Sequence, residues 1–148
     1  MRKSAKRRPF QATKLRLACQ PWRIDMVFAP IERILHRIEM DGTVDAAQGK
    51  PVFYEDGEGG WYETTAALRG IIHFHEVAAD RLGETADIDG FTRLANKLDA
   101  GAPLFESDLA LVRTSIAACR QQALRLTLAE AKDILTTVRI STAMEEAA

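Results

Sequence analysis

The stretch PVFYEDGEGGWYETTAALRGIIHFHEVAADRL, residues 51–82, decides how the rest of the chain is read. Residues 52–55 and 61–64 are short β-branched and aromatic runs on either side of a Gly-rich turn, the pattern of a β-hairpin. Gly57, Gly59 and Gly60 let that turn take positive φ values without a Cβ penalty. An isolated hairpin is marginal in water, so its rings (Phe53, Tyr54, Trp61 and Tyr62) need a surface to lie on. The next segment supplies one. Thr64 or Thr65 can start a helix and Gly83 can stop it. Between them Leu68, Ile71, Ile72, Phe74, His75, Ala78, Ala79 and Leu82 share one broad face, with Arg69, His73, Glu76 and Asp80 opposite. The expectation is a hairpin folded back onto its own helix.

Upstream, the connection through Asp45 and Gly49 to Pro51 reads as a polar loop, and Asp41-Gly42 ends a first helix over residues 30–40. Ile31, Ile34, Leu35 and Ile38 form its stripe, joined by Phe28. Pro30 suits a first turn, where its missing N–H would have had no partner. Residues 14–19 and 22–28 alternate in the manner of short strands separated by Pro21. Residues 1–9 are basic, polar and aperiodic. Segment 1–24 therefore reads as a basic arm, largely disordered or loosely attached, ahead of a single helical domain over 25–146.

Downstream, residues 84–89 form an acidic loop, and Asp87 or Asp89 can cap a helix whose single apolar face is Phe91, Leu94, Ala95 and Leu98. Gly101 and Ala102-Pro103 close it. Ser107 opens a long helix with Leu109, Val112, Ile116, Cys119, Ala123 and Leu126 at three-four spacing. Leu128 breaks that frame, and Thr127 followed by Glu130 reads as a capping box. A break near Thr127 is expected, then a last helix with Leu128, Ala131, Leu135 and Val138 on its stripe and Ile134 beside them. The fold class is mainly α: a bundle-like domain of four or five helices, with one β-hairpin at about residues 51–64 packed on the following helix.

A length of 148 residues suits one domain, and 47% hydrophobic with 28% charged residues is ordinary for a globular protein. No apolar run reaches the roughly 18 residues that cross a bilayer, and no signal-peptide core follows the basic start. No membrane role is expected. The two cysteines, Cys19 and Cys119, make no disulfide framework, so a reducing, cytoplasmic setting is expected. The net charge of −1 conceals an asymmetry. Eight of the 20 bases (Arg2, Lys3, Lys6, Arg7, Arg8, Lys14, Arg16 and Arg23) precede the first acid, Asp25, leaving twelve bases against all 21 acids.

Those eight residues are the strongest functional signal, because clustered cations without acids release counterions from a polyanion and bind it salt-dependently. Phe10 and Trp22 can add stacking. The same arm can serve as a solvated tail, or dock on the acidic hairpin through Glu55, Asp56, Glu58 and Glu63. The hairpin rings read as core rather than as a base-stacking platform, since the acids around them repel phosphates. The Gly-rich turn lacks the Lys-Ser/Thr and the strand-to-helix context of a phosphate-binding loop. Glu32, His36 and Glu39, and His73, Glu76 and Asp80, suggest metal ligands. Their order is the reverse of the inward-facing Glu-x-x-His of dimetal bundles, and ion pairing with Arg33, Arg37 and Arg69 accounts for them better.

His75 stands apart. It lies in the middle of an apolar face and reads as a buried histidine bonded to a hairpin tyrosine or a backbone carbonyl, a possible pH switch. Cys19, in a basic segment, is the one thiol with a route to activation. No Gly-x-Ser-x-Gly, His-Glu-x-x-His or Cys-x-x-Cys occurs, and no enzyme activity or cofactor is expected. The sequence thus points to a non-enzymatic accessory or regulatory interaction protein whose basic arm contacts an acidic partner, nucleic acid being the leading candidate. The alternatives are an adaptor that self-associates or binds a partner through its C-terminal helices, and a metal-binding helical protein.

Overall fold

The computed structural model describes residues 14–55 and 60–147. The fold is mainly α, with five helices and a small antiparallel sheet. In chain order these are α1 (Pro21–Asp41), β1 (Asp45–Ala47), β2 (Lys50–Glu55), β3 (Gly60–Glu63), α2 (Thr64–Leu82), α3 (Asp89–Ala100), α4 (Glu106–Leu124) and α5 (Leu128–Ala147). Helix α3 lies between α2 and α4, α5 packs on α2, and α1 packs on α4.

The hairpin stands where its residue pattern put it. β2 pairs with β3 through Val52↔Glu63, Phe53↔Tyr62, Tyr54↔Trp61 and Glu55↔Gly60, and both strands lie against α2. Phe53 packs on the core and meets Tyr62 at a ring separation of 6.0 Å. The turn at 56–59 lies outside the described residues. The expected polar loop before the hairpin is instead a third strand. β1 pairs with β2 across a two-residue connection in which Gln48 (φ 52°) and Gly49 (φ 78°) both take positive φ, as a primed hairpin turn requires.

The first helix corrects the sequence reading. It starts at Pro21, not Pro30, and Ile24 and Phe28 extend the stripe of Ile31, Leu35 and Ile38 by two turns. Pro30 sits inside the helix, where it cannot donate to the Met26 carbonyl. Met26 is 66% exposed, so water can take that carbonyl. Residues 14–24 are accordingly no loose arm. Leu17 N–H donates to the Leu126 carbonyl (3.0 Å) and Leu128 N–H to the Leu15 carbonyl (2.7 Å), a two-bond staple centred on an Arg16–Thr127 bridge. Leu17 is buried beneath it. No strand forms over 14–19 or 22–28.

Elsewhere the boundaries follow local chemistry. Gly42, Gly83 and Gly101 end α1, α2 and α3 in left-handed conformation. Thr127 and Glu130 form the capping box, with Glu130 N–H on the Thr127 hydroxyl at 3.1 Å and Thr127 N–H on the Glu130 carboxylate at 3.0 Å. Helix α4 is opened by Asp108 reaching back to the Phe105 N–H (2.8 Å) rather than by Ser107. On α5 Ala131 and Ile134 are buried and Leu128 and Val138 pack against the core as expected, while Leu135 is 43% exposed. The core runs through Phe28, Ile31, Leu68, Phe91, Leu94, Val112, Leu126 and Ile134.

Candidate functional site

Phe28 of α1 and His75 of α2 stack, 5.9 Å between ring centroids. Both rings border a cavity of about 480 Å³ lined by α1, α2 and α5. Its walls are Ile24 and Val27 from α1, Ile71 and Phe74 from α2, and Ala131 and Leu135 from α5, with Ala123 contributed by α4. Exposed Val27 and Leu135 mark its lip. Arg23 and Lys132 are the two charged residues that line it.

The histidine in the wall is held by a chain of hydrogen bonds that reaches the surface. Arg125 donates to both carboxylate oxygens of Glu84, each at 2.6 Å. Glu84 can only accept, and it takes an N–H of Gln122 at 3.2 Å, which turns the Gln122 carbonyl oxygen to His75 Nδ1 at 2.6 Å. The proton therefore sits on Nδ1, leaving Nε2 with a lone pair and no hydrogen-bond partner among the described residues. The Arg125 bond holds the Glu84 carboxyl below its usual range. Burial, opposed by the Gln122 bond, holds the His75 imidazole below its usual value, so the ring is neutral at pH 7. The sequence placed His75 correctly in the interior but not its partner. That partner is Gln122, 47 residues away on α4, not a hairpin tyrosine or a backbone carbonyl.

Of the eight expected binding cations, Arg2, Lys3, Lys6, Arg7 and Arg8 lie outside the described residues, as does Phe10. Lys14 and Arg16 are exposed on the segment stapled to the start of α5, and Arg23 stands half-buried at the groove. Arg23 bonds the Gln20 side chain and stacks on Trp22, 4.5 Å from the ring centroid, but neither contact neutralises it. The contrast with the other bases is sharp. Arg37, Arg69, Arg81, Arg93, Lys97, Arg113, Arg120 and Arg125 each pair with an acid. Among the described residues Lys14, Arg16, Arg23, Lys132 and Arg139 have no acidic partner. Lys132 and Arg139, seven residues apart, share a face of α5 with Leu135. No feature of the sequence distinguished these two from the paired bases.

The other candidates resolve into structure. Glu32 and Glu39 reach across to α4, Glu32 to Arg120 at 3.3 Å and Glu39 to Arg113, so ion pairing does engage them, though with partners on another helix. No group of three or more His, Cys, Asp or Glu side chains among the described residues is placed to hold a metal. The stripe Leu109, Val112, Ile116, Cys119, Ala123 and Leu126 lies in the chain's own core. Cys119 is buried against the Asp87 carbonyl (3.6 Å), and burial together with the Asp87 charge pushes its thiol up to about 12, which keeps it protonated. Cys19 is exposed. Lys50 spans to Glu63 at 3.3 Å, so that hairpin acid is paired within the sheet. No described helix is long and apolar enough to cross a membrane. No protein-family profile, no curated protein and no solved structure matches this chain.

Proposed function

We propose that this chain is a non-enzymatic binding module for an acidic, amphipathic partner, received at the groove between α1, α2 and α5. The observation that carries the reading is the distribution of unpaired charge. The five described cations without an acid belong to the two segments that border the groove, residues 14–23 and α5. An unpaired cation beside exposed apolar side chains offers a partner both terms at once: Coulomb attraction at the edge and burial of carbon in the cleft, at about 25 cal/mol per Å². Trp22, Met26 and Val27 of α1 and Leu135 of α5 supply exposed carbon on the same helices.

A polyanion such as nucleic acid is a second reading, favoured by Arg2, Lys3, Lys6, Arg7 and Arg8, which precede Lys14 and Arg16 in the sequence with no acid among them. Against it, Arg23 covers a face of the Trp22 ring, which is then closed to a stacking base. Fluorescence titration with anilinonaphthalene sulfonate, an apolar anion, tests the first reading. Wild type is expected to bind one equivalent with affinity falling as salt rises, and Arg23→Glu with Lys132→Glu to weaken it at least tenfold at unchanged helicity. Undiminished binding by the double variant discards the reading. Salt-dependent retention of a single-stranded oligonucleotide, with no sulfonate bound, replaces it with the second.

A further inference from the structure

We infer that the groove holds one single-chain carboxylate of the fatty-acid class, its hydrocarbon between α1, α2 and α5 and its carboxylate at Arg23 and Lys132. The inference rests on the acidic-partner reading above and names the occupant. Size separates the candidates. The cavity, about 480 Å³, lies within the range of roughly 300–1,000 Å³ usual for small-molecule sites. A partner helix about 10 Å across fills roughly 420 Å³ per turn, so this space seats one turn. Helix-in-groove docking spreads its anchors over at least two turns. At about 30 Å³ for each water-sized group, an alkyl chain of roughly ten to fourteen carbons fits.

The wall chemistry agrees with a chain. Three of its sides are helices, and what they present to the cavity is mainly Ile24, Val27, Ile71, Phe74 and Leu135, with the His75 ring the one uncharged polar side chain in the wall. A polar occupant would leave most of its donors and acceptors unmatched there. A hydrocarbon has none to lose. The two cations lining the cavity supply what the head group needs, and neither has an acid of its own among the described residues.

Gly70 is the second, independent observation. It lies inside α2 and lines the cavity, and a Cβ built on it meets no atom within 4 Å. Glycine is a poorer helix former than alanine, and no contact among the described residues asks for it here. The absent side chain leaves the groove wide instead.

Calorimetric titration of the full chain with decanoate, butyrate and 1-decanol decides the matter. Decanoate is expected to bind one per chain, butyrate not measurably, and 1-decanol at least tenfold more weakly than decanoate. Arg23→Gln with Lys132→Gln should erase the difference between decanoate and decanol. Gly70→Leu should weaken decanoate at least tenfold with melting temperature held or raised, and Val27→Phe, at an exposed position on the opposite wall, does the same if the first variant fails to fold. No decanoate binding, a stoichiometry well above one, or full affinity in both filled variants overturns the inference. Sulfonate binding without decanoate binding overturns the fatty-acid class alone, whereas loss of both removes the acidic-partner reading as well.

Discussion

Two glycines inside helices describe the two halves of this molecule. On α3, a Cβ at Gly90 would stand 2.6 Å from the Leu111 carbonyl carbon and 2.7 Å from Val112 Cα, so α3 and α4 touch backbone to backbone. The Gly90 N–H donates to the Ser115 hydroxyl at 3.0 Å, and the buried Asp108 carboxylate takes Lys97 at 2.6 Å, with Arg93 at 2.8 Å. On α2, Gly70 faces open space. The α3–α4 half is closed and its buried charge is compensated. The α1–α2–α5 half keeps a cleft and bases without acids. Close packing is the default of protein interiors, and the α1–α2–α5 half departs from it.

The largest effect that would break this comparison is at the closed contact. Gly90→Ala should cost about 3 kcal/mol, because the obstructing atoms are backbone and cannot rotate away; urea unfolding measures it, and a cost under about 1 kcal/mol would mean the helices are free to part. Next is Asp108. Burial alone would raise its carboxyl, but the Lys97 bond, the Phe105 N–H and the two nearby cations outweigh that and hold it below its usual value. Asp108→Asn should cost about 2 kcal/mol, less than a fully buried pair because Lys97 and Arg93 can turn to water. Equal stability of wild type and variant at pH 7 would show the charge to be idle.

The third effect is one of pH. His75 titrates below its usual 6.5 in the folded chain, burial being the main cause. As pH falls, the unfolded chain takes up this proton first, so stability is complete above about 6.5. Below it the loss is up to about 1.4 kcal/mol per pH unit, until the folded-state histidine titrates as well. Glu84 and Arg125 connect to this network through Gln122, Arg120 lies 5.2 Å from the Phe28 ring centroid, and Arg23 and Lys132 line the same cavity as His75. Replacement of His75 by Gln should flatten the stability curve between pH 6.5 and 5, and identical slopes would remove the role. The smallest effect is opposite in sign. Gly70→Ala should stabilise the protein by about 0.5–1 kcal/mol, seen as a higher urea midpoint at unchanged slope; a loss would place an unseen neighbour at that position.

Much of the helical frame was legible because its signals are local. Thr127 with Glu130, Gly83, Gly101 and the spacing of Phe91, Leu94 and Ala95 each act within one turn of chain. The start of α1 was misread because residues 22–28 also alternate; the i, i+4 steps from Ile24 to Phe28, with Ile31 and Leu35 continuing the face, carried the right period, and Pro21 was the true first turn. The third strand hid behind Gln48-Gly49, a weaker turn pair than Asn-Gly. The groove could not be read at all. It depends on how far two helices stand apart, and on which of twenty bases find acids across the fold, neither of which leaves a trace in spacing.

The staple between residues 15–17 and 126–128 carries a consequence for assembly. A chain emerging from the ribosome exposes α1 through α4 before the strand of backbone that fastens its leading edge has been made. Contacts so distant in sequence form late, since the intervening chain must first be ordered. The staple is therefore sewn last, and a nascent chain that halts before Leu126 lacks the carbonyl that holds Leu17 in place, leaving apolar surface open for longer.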